Sequence, residues 1–222
     1  MGQTLDFTRP DGASTRGYFS DAGAGRPGIV VIQEWWGLND QVCSVVDRLA
    51  QAGFSALAPD LYRGRVASTA DEASHMMTGL DFADATHQDL AGAVTFLRAR
   101  CAKVGVTGFC MGGALTIAAA VHLPALSGAV CFYGIPPATF ADPALIKIPF
   151  QGHFANRDKH WGPDQANALE AAMLAAGAAP EIHRYDAEHA FFNQTRPEVY
   201  DAACAQLAWE RSLAFFTQHL SA

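Results

Sequence analysis

The chain has 222 residues, of which half are apolar and 17% charged, and 15 basic against 22 acidic side chains give a net charge of −7. That length suits one α/β domain with a full core better than two small ones, and the apolar share excludes a disordered chain. The acidic balance leaves no footprint for nucleic acid and no basic patch for an anionic membrane, and no apolar run approaches the roughly 20 residues of a membrane span.

The start, Met1-Gly-Gln-Thr-Leu-Asp6, has neither a basic nor an apolar leader region, so no signal peptide is expected. Five cysteines, an odd number without a C-x-x-C pair, point to reduced thiols in a cytoplasm.

Residues 3 to 20 read as an antiparallel hairpin turning at Pro10-Asp11-Gly12. Pro27 to Ile32 is a β-branched run suited to a strand buried on both faces. It ends in Gln33-Glu34-Trp35-Trp36-Gly37, a loop unusually rich in large aromatic groups. From Asp40, apolar residues at Val42, Val45, Val46, Leu49 and Ala50 predict a helix, and Phe54 to Ala58 the next strand, stopped by Pro59. Asp60 to about Leu80 is the least regular stretch and is expected to form a lid or binding loop.

Phe82 to Arg100 reads as a helix. Next, Lys103 to Val121 reads as a short apolar strand, a tight turn and an apolar helix. Further strands are expected at Gly128 to Tyr133, Ile148 to Phe154 and Glu181 to Tyr185. A helix is expected at Gln165 to Ala176, and Pro197 is expected to open the last one. This βαβ alternation predicts a mostly parallel central sheet with helices on both faces and an N-terminal antiparallel hairpin. Residues 1–222 are expected to form a single domain with a lid-like segment around 60–80.

The turn before the apolar helix is Gly108-Phe-Cys-Met-Gly112, a Gly-x-nucleophile-x-Gly elbow with cysteine at its centre. The helix behind it aims free backbone N–H groups and a positive dipole end at the turn, which would acidify the Cys110 thiol. Ligands of an open α/β sheet sit beyond the carboxyl ends of its strands. Glu34, Cys110, Asp158 and His189 all fall there, and nucleophile, acid, histidine is the chain order of the α/β-hydrolase fold.

Gln33-Glu-Trp-Trp-Gly37, Ala58-Pro-Asp-Leu-Tyr62, Gly108-Phe-Cys-Met-Gly-Gly113, Phe132-Tyr-Gly134 and Glu188-His-Ala-Phe191 together resemble the dienelactone hydrolase family, in the same order and over nearly the whole chain. The resemblance implies a carboxymethylenebutenolidase-like ester or lactone hydrolase, with Cys110, His189 and Asp158 as its triad. It also implies an oxyanion site at the backbone N–H groups of Met111 and Trp35, and an assisting carboxylate at Glu34 that accepts the thiol proton. Trp36, Tyr62, Arg63, Tyr133, Phe191 and Asn193 are the expected substrate-binding residues. No cofactor and no metal are expected; the partner is a small-molecule ester or lactone, and the chain a monomer or small homo-oligomer.

The sequence departs from the family at the substrate clamp. Dienelactone hydrolases hold a substrate carboxylate with two arginines, one in the lid and one four residues after the histidine. Here Asn193 stands at the second position, and Val66 to Leu80 holds no arginine or lysine. A guanidinium fork is not replaced by an amide, so the pocket is expected to be less selective for anions. The alternatives are a general carboxylesterase and, from another class, a non-catalytic or thiol-redox binding protein on the same kind of sheet.

Overall fold

The computed structural model describes residues 1–221. Its centre is an eight-stranded sheet built from β1 (Gln3–Thr8), β2 (Ser14–Ser20), β3 (Gly28–Ile32), β4 (Ser55–Pro59), β5 (Val104–Phe109), β6 (Gly128–Phe132), β7 (Phe150–Ala155) and β8 (Glu181–Tyr185), in the order β1-β2-β4-β3-β5-β6-β7-β8. The first two strands form the expected antiparallel hairpin, and β2 pairs antiparallel with β4. From β4 to β8 every pairing is parallel.

The helices follow from the sequence pattern. In α1 (Asp40–Gln51), capped by Asn39, four of the five predicted apolar residues are buried and Ala50 is half-buried. Next in the chain are α2 (Ala70–Thr78), α3 (Phe82–Asp84), α4 (Ala91–Arg98), α5 (Met111–His122), α6 (Pro163–Ala175) and α7 (Ala202–Leu220). Side chains alternate across a strand. Val30 and Ile32 of β3 therefore join the core beneath α4, α5 and α6, while Ile29 and Val31 join the one beneath α1 and α7. This two-sided burial explains why the central strands read as continuous apolar runs.

Three expectations need correction. The stretch from Asp60 to Leu80 is partly regular: α2 starts at a Thr69 cap whose hydroxyl accepts from the Glu72 N–H at 3.2 Å. The predicted helix from Phe82 contains a π-helical turn at Ala85–Leu90, within which Asp89 lies 1% exposed between Arg9 and Arg63. The last helix starts at Ala202 rather than at Pro197. Asp201 caps it through the Cys204 N–H, while the residues before it form turns closing on the Arg196 carbonyl.

The chain runs from β3 to β4 on one side, then returns to place β5 on the other side of β3. Strand order therefore reverses between β3 and β5, and a crevice opens at their carboxyl ends. The loop carrying Glu34 and Trp35 leaves β3 there, and the elbow leaves β5.

Candidate active site

Cys110 sits between β5 and α5 with φ 56° and ψ −117°, a left-handed conformation that side chains rarely adopt. The elbow is held by close backbone approach. A Cβ on Gly108 would strike the Gly112 carbonyl, and one on Gly112 would strike the Ile32 carbonyl. The Cys110 N–H donates to the Phe132 carbonyl at 3.1 Å, which ties the elbow to the end of β6. Tyr133 (φ 36°), just after β6, and Ala190 (φ 64°), just after His189, are left-handed as well.

His189 Nδ1 lies 2.7 Å from Asp158 Oδ2, and Asp158 Oδ1 accepts the N–H groups of His160 at 2.7 Å and Trp161 at 3.1 Å. Burial works against the Asp158 carboxylate, but the bonds to His189 and to these two amides outweigh it and hold its pKa below the usual range. The imidazole packs among the rings of Tyr133, His160 and Trp161 at 5.1, 5.5 and 5.6 Å. Trp161 is itself pinned by its indole N–H to the Ile135 carbonyl at 3.0 Å.

Cys110 and His189 open into the same cavity of about 370 Å³. Trp35, Met77, Trp161 and Val199 supply apolar wall, and Arg157, Lys159, His160, Glu188 and Arg196 polar wall. Arg157 is engaged by Asp186 and Glu188, and Arg196 by Glu198 at 2.7 Å. The sequence reading missed Arg157, Lys159, His160 and Trp161. Their only signal was proximity in the chain to Asp158, on a loop whose direction the strand pattern does not give.

Glu34 is 5% exposed, accepting from Asn193 Nδ2 at 2.6 Å and from the Tyr133 hydroxyl at 3.3 Å. Burial raises its pKa, with the Asn193 bond acting in the opposite direction. The acidification expected of Cys110 does not prevail. Burial and then the Glu34 charge push the thiol pKa up, while the Met111 N–H pulls it down by less.

Of the other expected residues, Trp35 lines the cavity, whereas Trp36 borders an adjoining one of about 280 Å³ and faces the Arg196 guanidinium at 5.7 Å. Tyr62 is buried, its hydroxyl 3.3 Å from Met111 Sδ beneath the elbow. Arg63 points away from the cavity and binds Thr15 Oγ1 and Asp89 Oδ2, each at 2.9 Å, because the π-helical turn presents Asp89 to it. Phe191 is fully buried against Tyr185 and Tyr133, so it is a core residue. Tyr133 and Asn193 are buried as well and bind Glu34.

Comparison with known proteins bears on the family and the fold. The model of the dienelactone hydrolase family matches residues 16–220. Protein usf of Aquifex pyrophilus is 37% identical over the full length of both chains. A protein of Aquifex aeolicus provisionally named a carboxymethylenebutenolidase is 32% identical over 99% of this chain and all of its own. Among solved structures, a provisionally assigned dienelactone hydrolase of Klebsiella pneumoniae superposes with a TM-score of 0.85 at 26% identity, covering 98% of this chain and 99% of its own. A dienelactone hydrolase-like promiscuous phosphotriesterase from metagenomic libraries gives 0.84 at 25% identity, covering 98% of each chain. With its α/β-hydrolase sheet, its elbow and these relatives, the chain belongs to the dienelactone hydrolase family and is an ester hydrolase of that kind.

Proposed function

We propose that the chain hydrolyses enol lactones or activated aryl esters through a thioester on Cys110. The observation that carries this reading is the His189–Asp158 bond of 2.7 Å beside a cavity shared with a cysteine on a strained elbow. Asp158 fixes the tautomer so that His189 Nε2 is free to take and return a proton.

In the resting site burial disfavours charge on both Cys110 and Glu34, so a proton leaving the thiol has a buried carboxylate of raised basicity to receive it. Sγ then bonds to the substrate carbonyl carbon, and the carbonyl electron pair moves onto oxygen. In this reading the Met111 N–H at the start of α5 and the Trp35 N–H hold that oxyanion. Its collapse breaks the bond to the leaving oxygen, which departs with the proton that Glu34 took from the thiol, relayed by His189. Water, deprotonated by His189, next attacks the thioester carbon; Sγ is expelled and takes that proton from His189, which restores the thiol and the neutral imidazole as a carboxylic acid is released.

The thiol also selects substrate. The tetrahedral adduct expels its better leaving group, and a thiolate (free pKa about 8.5) outcompetes an ordinary alkoxide. Acylation therefore advances with enolates and phenolates, and poorly with alkyl esters. Asn193 in place of an arginine, and cavity arginines already engaged by carboxylates, support a weak preference for anionic substrates. Met77 of α2 supports a lid role for the segment around 60–80, since it forms part of the cavity wall. The test is a hydrolysis panel of dienelactone, neutral aryl esters and alkyl esters, with Cys110→Ser and Cys110→Ala as controls. Activity undiminished in Cys110→Ala would overturn the reading.

A further inference from the structure

Among the described residues Glu34 is held only by neutral donors, which is unusual for a carboxylate at 5% exposure. The stronger of its two bonds comes from Asn193, and that side chain is locked. Its Oδ1 accepts from the Thr195 N–H at 3.0 Å and from Thr195 Oγ1 at 2.7 Å, and it is 1% exposed. A backbone N–H can only donate, so the Thr195 contact fixes which end of the amide is oxygen and turns Nδ2 toward Glu34. The turn is itself set by Ala190 in its left-handed conformation, whose carbonyl accepts the Asn193 N–H at 2.9 Å.

The ionisable groups around Glu34 come from every element that meets there: Cys110 after β5, Tyr133 after β6, and His189 and Arg196 after β8. His189 and Arg196 act on the carboxylate through space, and Arg196 is already paired with Glu198. A guanidinium hydrogen-bonded to Glu34 would neutralise it and weaken it as a base, whereas an amide orients it and leaves the charge in place.

We propose that Asn193 is a positioning residue for thiol activation, holding the Glu34 carboxylate in place without neutralising it, so that Cys110 is activated without a charged group from the substrate. The proposal rests on the roles given above to Cys110 and Glu34. It makes Asn193 a functional replacement within the site rather than a lost contact to substrate.

The test is the rate of Cys110 alkylation by iodoacetamide against pH, read by mass spectrometry, which needs no ester substrate. It compares the intact chain with Asn193→Ala, Glu34→Gln and the double variant, with thermal melts to confirm folding. Asn193→Ala is expected to slow alkylation near neutral pH by about tenfold or more and to displace the pH profile. In the Glu34→Gln background the same change is expected to add less than about twofold, because residues that act as one unit are not additive. Asn193→Ser, which retains a hydroxyl near Thr195 but loses the reach to Glu34, is expected to behave like Asn193→Ala and serves if that variant does not fold.

A neutral aryl ester and one carrying a carboxylate are expected to lose acylation rate equally in Asn193→Ala. Three results would overturn the proposal: a wild-type alkylation profile in Asn193→Ala, full additivity with Glu34→Gln, or a loss confined to the carboxylate-bearing ester. Hydrolysis surviving in Cys110→Ala would instead refute the underlying nucleophile assignment.

Discussion

Asp158 Oδ2 meets His189 Nδ1 at 2.7 Å while its other oxygen takes the backbone N–H groups of His160 and Trp161. Asp158 thus orients the imidazole and braces its own loop after β7. Asp158→Asn should retain the fold at neutral pH but lower kcat/KM by about 10²- to 10⁴-fold, since an amide can present its N–H to the ring and hold the wrong tautomer.

The same residue fixes a pH dependence of stability. Its pKa is depressed in the folded chain, so its stabilising contribution is complete above the ordinary carboxyl value of about 4 and is lost as pH falls through the folded value. Melting temperatures measured from acid to neutral pH should therefore fall less steeply on the acid side for Asp158→Asn than for the unmodified chain. Parallel curves would show that Asp158 gains nothing from its partners.

Glu34 has the opposite sign. Its pKa is raised in the folded chain, so the fold binds the proton more tightly than the unfolded chain, and stability is lost as pH rises from about 4 through the raised value. Glu34→Gln removes this penalty, and its melting temperature at neutral pH should equal or exceed that of the parent. Its acylation rate should drop by about tenfold or more. A variant that loses activity because it melts early would refute the assigned role.

The elbow tolerates no side chain at Gly112, where a Cβ would meet the Ile32 carbonyl. Since backbone must move to relieve the clash, Gly112→Ala should lose about 3 kcal/mol or more in denaturant unfolding. An alanine variant as stable as the parent would mean that the β3 loop and α5 are less tightly apposed.

Much of this site was legible in the sequence because strand ends are legible. Glu181–Tyr185 is the strand expected, and the positions just past β5, β7 and β8 gave Cys110, Asp158 and His189. What the pattern could not give was side-chain direction. Arg63 turns away because a π-helical turn buries Asp89 opposite it. Phe191 turns into the core, and Asn193 toward Glu34, from a turn set by the backbone of Ala190. The thiol was misjudged for a related reason. The helix end behind Cys110 is a local feature, whereas its burial and the charge of Glu34 are contributed by distant parts of the chain.

Passage of the acyl group through Cys110 is the step on which the proposed mechanism turns. Rapid quenching of the intact chain with an aryl ester of slow deacylation, followed by peptide mass spectrometry, tests it directly. An acyl mass increment is expected on the peptide containing Cys110, removed by hydroxylamine and missing from Cys110→Ala, which should also be inactive. An acyl group on another residue, or undiminished hydrolysis by Cys110→Ala, would contradict it.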